Sequence, residues 1–178
     1  PDVDAGKIAV MGNGLGGYFA TRIAVFDRRI QALIMNPPFI NLQRALLALI
    51  GSRARNIDFS VTDVHDLPTT ILQDEMKLFV LNMCHRFGID RLQELIREMQ
   101  AYSVEDMVYR ITCPTLVLRG EVAYPELESQ AMVFYENIRS TDKTRLSVPA
   151  LHVADSHDHV GNIAYLNQVV FDWLDERF

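Results

Sequence analysis

The chain has 178 residues, about the length of one domain, and its 49% apolar and 22% charged residues are the balance of an ordinary globular core. The net charge of -6 and the scatter of basic residues exclude a nucleic-acid partner, because the densest basic group, GSRARN at 51–56, is too short for a polyanion site. No apolar run reaches the ~18 residues of a membrane span, and nothing reads as a charged-then-apolar leader.

KIAVM (7–11) is a short, β-branched apolar run, the pattern of a buried strand. Glycines follow, and GYFATRIAVF then sets Phe19, Ile23 and Phe26 at helical spacing. IQALIM (30–35) predicts a second strand, stopped by NPPF at 36–39 because two prolines cannot continue a sheet. Residues 40–112 contain no good strand. Within them Leu72, Met76, Phe79, Val80 and Met83 form one amphipathic stripe and IDRLQELIREMQ (89–100) forms another, which predicts a helical insertion. TLVLRG (115–120), introduced by Pro114, predicts a third strand, and residues 126–138 a helix. TRLSVP (144–149) is a weaker fourth strand. The last helix, 161–177, carries Ile163, Leu166, Val170, Trp173 and Leu174 on one face.

Alternating strands and helices predict an α/β protein with a parallel sheet covered by helices. The expected division is core strands and turn over 1–39, a lid-like helical insertion over 40–112, and a returning core over 113–178. Four strands around one long insert make a thin sheet. The expectation is that an N-terminal portion or a second chain completes it.

The two cysteines, Cys84 and Cys113, are too few for a disulfide framework and read as reduced thiols of a cytoplasmic protein. His157 and His159, flanked by Asp155 and Asp158, are the one grouping with a metal-like look; they read as loop residues, so no metal is expected.

The stretch KIAVMGNGLGGYFATRIA (7–24) carries two competing motifs. Gly12, Gly14 and Gly17 spell G-x-G-x-x-G, the dinucleotide fingerprint of a Rossmann domain. That fold also wants a carboxylate at the end of the second strand to hold the ribose, and here the strand ends in Met35, Asn36 and Pro37. The insertion also interrupts the βαβαβ run. No cofactor is therefore expected. The alternative is a nucleophile elbow, G-x-S-x-G, whose small residues let a strand turn sharply into a helix. Gly12 and Gly16 fill the small positions and Gly14 stands where the serine belongs. The N–H of Leu15 is then one oxyanion donor. HVADSHDHVGN (152–162), between the weak strand and the last helix, is the late loop in which such folds carry a histidine.

KIAVMGNGLGGYFATRIAVFDRRIQALIMNPPF, ITCPTLVLRGE and SHDHVGN with VVFDWLDERF resemble the α/β-hydrolase fold. Within it they resemble the branch of fungal polyketide-shortening hydrolases, the 2,6-dihydroxypseudooxynicotine hydrolase and the FrsA-like proteins. The resemblance covers most of the chain, well through those segments and weakly through 40–105. It implies the C-terminal half of the fold, the N-terminal half carrying the earlier strands and a second oxyanion donor. It also implies a carbonyl-containing, polyketide-like small-molecule substrate, with hydrolysis of esters or activated carbon–carbon bonds and no cofactor. A homodimer is an assembly common among such enzymes. By position the histidine is His157 and the nucleophile position is Gly14. Relatives read G-E-x-D after the third strand, where this chain reads GEVAYPE, so Ala123 stands at the aspartate. Glu121 is the nearest carboxylate, with Asp155 and Asp158 as further candidates for the acid.

A glycine at position 14 leaves a histidine and an oxyanion hole, enough for proton abstraction next to a carbonyl or for activation of a water. Elimination, retro-aldol cleavage, dehydration and cyclisation all fit. Asn13 and Tyr18, beside the turn, are the polar candidates for substrate contact. Two further readings stand beside this one. One is a serine hydrolase with an engineered serine-to-glycine change at position 14 and Glu121 as acid; the other is a non-catalytic ligand-binding receptor or subunit.

Overall fold

The computed structural model describes residues 4–51, 58, 63–66, 74–120, 125–148 and 161–178. Four strands form one all-parallel sheet in sequential order: β1 (Ile8–Asn13), β2 (Ile30–Asn36), β3 (Thr115–Gly120) and β4 (Lys143–Val148). The helices are α1 (Gly16–Phe26), α2 (Leu42–Ile50), α3 (Asp74–Phe87), α4 (Leu92–Glu98), α5 (Pro125–Asn137) and α6 (Ile163–Asp175). Parallel neighbours require a crossover. Here α1 joins β1 to β2 and α5 joins β3 to β4.

The described chain divides into two compact units, residues 1–40 with 104–178, and residues 41–103. In the sheet unit β2 is buried on both faces, which is why it reads as an unbroken apolar run; Ala32, Leu33, Ile34 and Met35 are all buried. One face of the sheet sets Ala32, Ile34, Leu116 and Leu118 against Leu166, Val170 and Trp173 of α6. Each large side chain so buried contributes about 1.5–3 kcal/mol. The stripe expected on the last helix stops one turn short, since Ile163 lies in the first turn and is 57% exposed. The Trp173 indole donates to Thr144 Oγ1 at 3.2 Å, and the Arg177 guanidinium lies over its ring and grips Asp142. Arg119 of β3 and Arg145 of β4 both pair with Glu128 of α5.

On α1 the helix forms as expected, but Phe19, Ile23 and Phe26 are not its buried face: they are 50%, 42% and 53% exposed. The face toward β1 and β2 carries Gly17, Tyr18, Ala20, Thr21, Ala24 and Val25. Where the helix backbone approaches the end of β2 most closely, at Gly17, there is no room for a side chain, while Tyr18 and Val25 fill the space beside it. The Thr21 hydroxyl donates to Gly17 O at 2.8 Å. Phe26 lies beneath the guanidiniums of Arg22 and Arg110.

The inserted unit is held by helical side chains. Asn41 caps α2, its side chain accepting from Arg44 N at 2.9 Å, and bridges to Ser103 at the other end of the insertion. Leu42 N–H donates to Tyr102 O at 3.0 Å. Ala45, Leu46, Ile50, Val80, Met83, Leu92, Leu95 and Met99 are buried. The first expected stripe is thus present at Val80 and Met83, with Phe79 half-buried, while Leu72 and the Met76 side chain lie outside what is described. Residues 104–111 pack in the sheet unit, where Val104, Val108 and Ile111 are buried and Val104 N–H donates to Ile40 O at 2.8 Å.

Candidate active site at the β1–α1 turn

β1 and β2 pair as far as Asn13 and Asn36, so both strands end at the same level of the sheet. The chain then reverses within two residues. Gly14 takes φ of +51°, a left-handed conformation that costs a residue with a Cβ roughly 1–2 kcal/mol. Its N–H donates to Asn36 O at 2.8 Å, and its carbonyl accepts from Gly17 N–H at 2.8 Å. Leu15 already has near-helical angles, and α1 begins at Gly16.

Two further glycines make the turn possible by having no side chain. A Cβ on Gly12 lies 2.6 Å from Gly16 O and 2.7 Å from Gly17 Cα. A Cβ on Gly17 lies 2.6 Å from Pro37 O and 3.1 Å from Phe39 N. These are contacts to backbone, which cannot swing aside. The result is the tight strand–turn–helix geometry that a nucleophile elbow needs. The Leu15 N–H sits at the start of α1, where the first N–H groups have no intrahelical acceptor. Such donors stabilise an oxyanion when they are fixed in advance.

Asn13 is exposed beside this turn, and its Oδ1 accepts from Asn36 Nδ2 at 2.9 Å. Asn36 is fully buried and its peptide bond to Pro37 is cis. Nothing in the motif pointed to Asn36, although a polar residue closing an apolar run before two prolines is a legible signal. Tyr18 is 2% exposed, its ring edge-on to Phe19 at 5.4 Å, so it is a core residue as well as a neighbour of the turn. Gln130, also missed, is fully buried on α5. It accepts from Ile40 N–H at 2.9 Å and donates to Glu126 Oε1 at 3.1 Å, tying the segment after Pro37 to the start of α5.

His157, Glu121, Ala123, Asp155 and Asp158 lie outside the described residues, as does His159. Among the described residues no three His, Cys, Asp or Glu side chains gather as a metal site requires. No helix among the described residues is long and apolar enough to cross a membrane. Burial pushes the Cys84 thiol up to about 11, with Asp90 and Asp63 adding to it, and burial also raises Cys113. Both thiols are therefore held protonated at neutral pH, the opposite of an activated cysteine.

No family model matches the chain. The α/β hydrolase gkaG of Penicillium citrinum is 26% identical over 199 residues, covering 99% of this chain and 45% of that protein. The α/β hydrolase psoB of Aspergillus fumigatus is 24% identical over 202 residues, covering 99% and 43%. Among solved structures, the 2,6-dihydroxy-pseudo-oxynicotine hydrolase superposes with a TM-score of 0.64 at 20% identity, over 97% of this chain and 40% of that one. The α/β hydrolase GrgF from Penicillium sp. sh18 gives 0.58 at 20% identity, over 99% and 65%. The fold is that of the α/β hydrolases, and the fungal α/β hydrolases and the pseudooxynicotine hydrolase expected from the sequence are among its matches. The chain spans less than half the length of the curated relatives it matches. With that fold, the glycine turn reads as an elbow rather than a dinucleotide loop.

Proposed function

We propose that the protein is an enzyme acting on a carbonyl-containing, polyketide-like small molecule at the Gly14 turn, with His157 as general base and the Leu15 N–H as an oxyanion donor. Gly14 offers no nucleophilic atom, so the reading is a route without an acyl-enzyme. In it His157 takes a proton from the carbon next to the carbonyl, or from a water that attacks it, and the developing oxyanion accepts from Leu15 N–H. The product is that of elimination, retro-aldol cleavage, cyclisation or direct hydrolysis. Glu121 is the carboxylate assigned to orient His157.

The observation that supports this reading is the left-handed Gly14, pinned by its N–H to Asn36 O at 2.8 Å. A left-handed residue between a strand and a helix is the backbone geometry in which an elbow holds its nucleophile, and Gly14 takes it without strain.

The test is to install the missing atom. Gly14→Ser is exposed to a fluorophosphonate probe, alone and combined with His157→Ala. The expected result is stoichiometric labelling that disappears in the double variant. Labelling that survives His157→Ala overturns the base, and a folded Gly14→Ser protein that takes up no probe overturns the oxyanion hole. Turnover separates an enzyme from a receptor, because a receptor returns its ligand unchanged whether or not His157 is present.

A further inference from the structure

The apolar stripe of α1 faces outward and has a cationic border. Phe19, Ile23 and Phe26 recur at the steps of one helix face, and all three are exposed. The guanidiniums of Arg22 and Arg110 lie 5.4 and 5.1 Å from the centre of the Phe26 ring, and Arg28 Nη1 donates to Arg110 O at 3.4 Å. The 3-10 helix Glu105–Arg110 packs against both α1 and α5. It carries the strip on to Tyr109, an exposed ring with the Arg139 guanidinium 5.2 Å away. Acids outnumber bases in the chain by 23 to 17, yet Arg22, Arg28, Arg110 and Arg139 pair with no carboxylate among the described residues. Asp27, next to Phe26 in sequence, is engaged by Arg29 instead.

A guanidinium over a ring keeps its N–H donors for a carboxylate, and arginine with aromatic residues is the mixture that protein interfaces favour. A stripe at helical spacing receives the apolar face of another helix. A second copy laid on this face about a two-fold axis sets guanidiniums against guanidiniums and is refused. We propose that the outer face of α1 is a docking surface for an acidic amphipathic helix of a protein partner. Its apolar residues pack on Phe19, Ile23 and Phe26, and its Asp or Glu side chains pair with the arginines at the border. The cationic end of the surface, at Phe26, lies about 18 Å along the helix from the Gly14 turn, and the proposal does not depend on what that turn does.

The probe is a fluorescein-labelled synthetic peptide of about 18 residues, long enough to form a helix, with leucines at helical spacing flanked by glutamates. Anisotropy titration of the whole protein is expected to show binding that weakens with added salt. A twin with lysine for every glutamate is expected not to bind. Arg22→Glu and Phe26→Ala change exposed side chains, and each is expected to weaken the acidic peptide about tenfold at an unchanged melting temperature. Arg97→Glu makes the same change of charge at an exposed position of α4 and is expected to leave binding as it was. Phenylglyoxal is expected to modify Arg22 in the whole protein, and the peptide to protect it. Equal weakening by Arg97→Glu, or equal binding of a scrambled peptide without the leucine stripe, reduces the effect to net charge and overturns the proposal. An Arg22 that phenylglyoxal does not reach overturns it too, because the face is then covered by another part of the same protein. Binding to vesicles of phosphatidylcholine and phosphatidylglycerol with none to the peptide assigns the face to lipid and overturns the helical partner.

Discussion

The turn at residues 12–17 and the described residues of the inserted unit at 41–103 are each held by their contacts, but by different physics. At the turn, backbone meets backbone: Gly16 O and Gly17 Cα occupy the space of a Gly12 side chain, and Pro37 O that of a Gly17 side chain. The insertion is held by interlocking side chains such as Leu92 and Leu95, both fully buried. Side-chain packing tolerates exchange among residues of similar volume, whereas a site filled by main chain accepts glycine alone. A turn built the first way keeps its geometry whatever side chains surround it, because main chain fills the space.

Substitutions sharpen this contrast, and the largest effect is expected in the insertion. Leu95→Ala deletes a fully buried side chain and is expected to cost about 2–5 kcal/mol in urea unfolding, since the neighbours relax only partly into the cavity. Leu95→Met is expected to cost less than about 1.5 kcal/mol in the same measurement, because the volume is kept. Gly17→Ala adds a single methyl, yet it drives a Cβ to 2.6 Å from Pro37 O and is expected to cost about 1–3 kcal/mol. One residue earlier the sign reverses. Among the described residues a Cβ at Gly16 meets nothing within 4 Å, and Gly16 is helical, so Gly16→Ala is expected to stabilise by about 0.4–1 kcal/mol. Equal losses at positions 16 and 17 would break the argument from close approach.

The smallest effect lies at the far end of α1. The side-chain hydrogen bond from Arg29 holds the Asp27 carboxyl down at about 2, from an ordinary 3.8, with a backbone bond from Arg29 also contributing. A lowered acid means that the folded state favours the ionised form. The contribution is present above pH ~4 and is lost as the pH falls toward about 2. A carbon NMR titration of the Asp27 carboxyl is expected to read the low midpoint in the wild type and a higher one in Arg29→Ala. Both groups face water, so little change in melting temperature should accompany it.

Much of the architecture was legible in the residues themselves. The four strands, the helices of the sheet unit and the helical block between the second and third strands follow from the period of apolar residues, a local property. The first strand runs two residues past KIAVM, to Asn13, because β2 supplies partners that far. The glycines at 12, 14 and 17 also announced a tight turn, since few other reasons place three so close together. The missing carboxylate after β2 speaks against a dinucleotide loop, and the hydrolase fold agrees with it.

Tertiary structure decided the matters that depend on which distant surface arrives. Helical spacing marks an apolar stripe without saying which face will be covered, and α1 covers the face of Gly17, Tyr18, Thr21 and Val25, with Gly17 against the end of β2, and leaves Phe19, Ile23 and Phe26 exposed. The burial of Gln130 against Ile40 N–H joins residues 90 apart. So does the pairing of Asn36 with Asn13 across 23 residues, which turns an unremarkable asparagine into the partner of the residue beside the turn. A sequence states which residues can be buried or can hydrogen-bond; only the folded chain brings them a partner, because a hydrogen bond is made at about 3 Å and sequence distance does not set that separation.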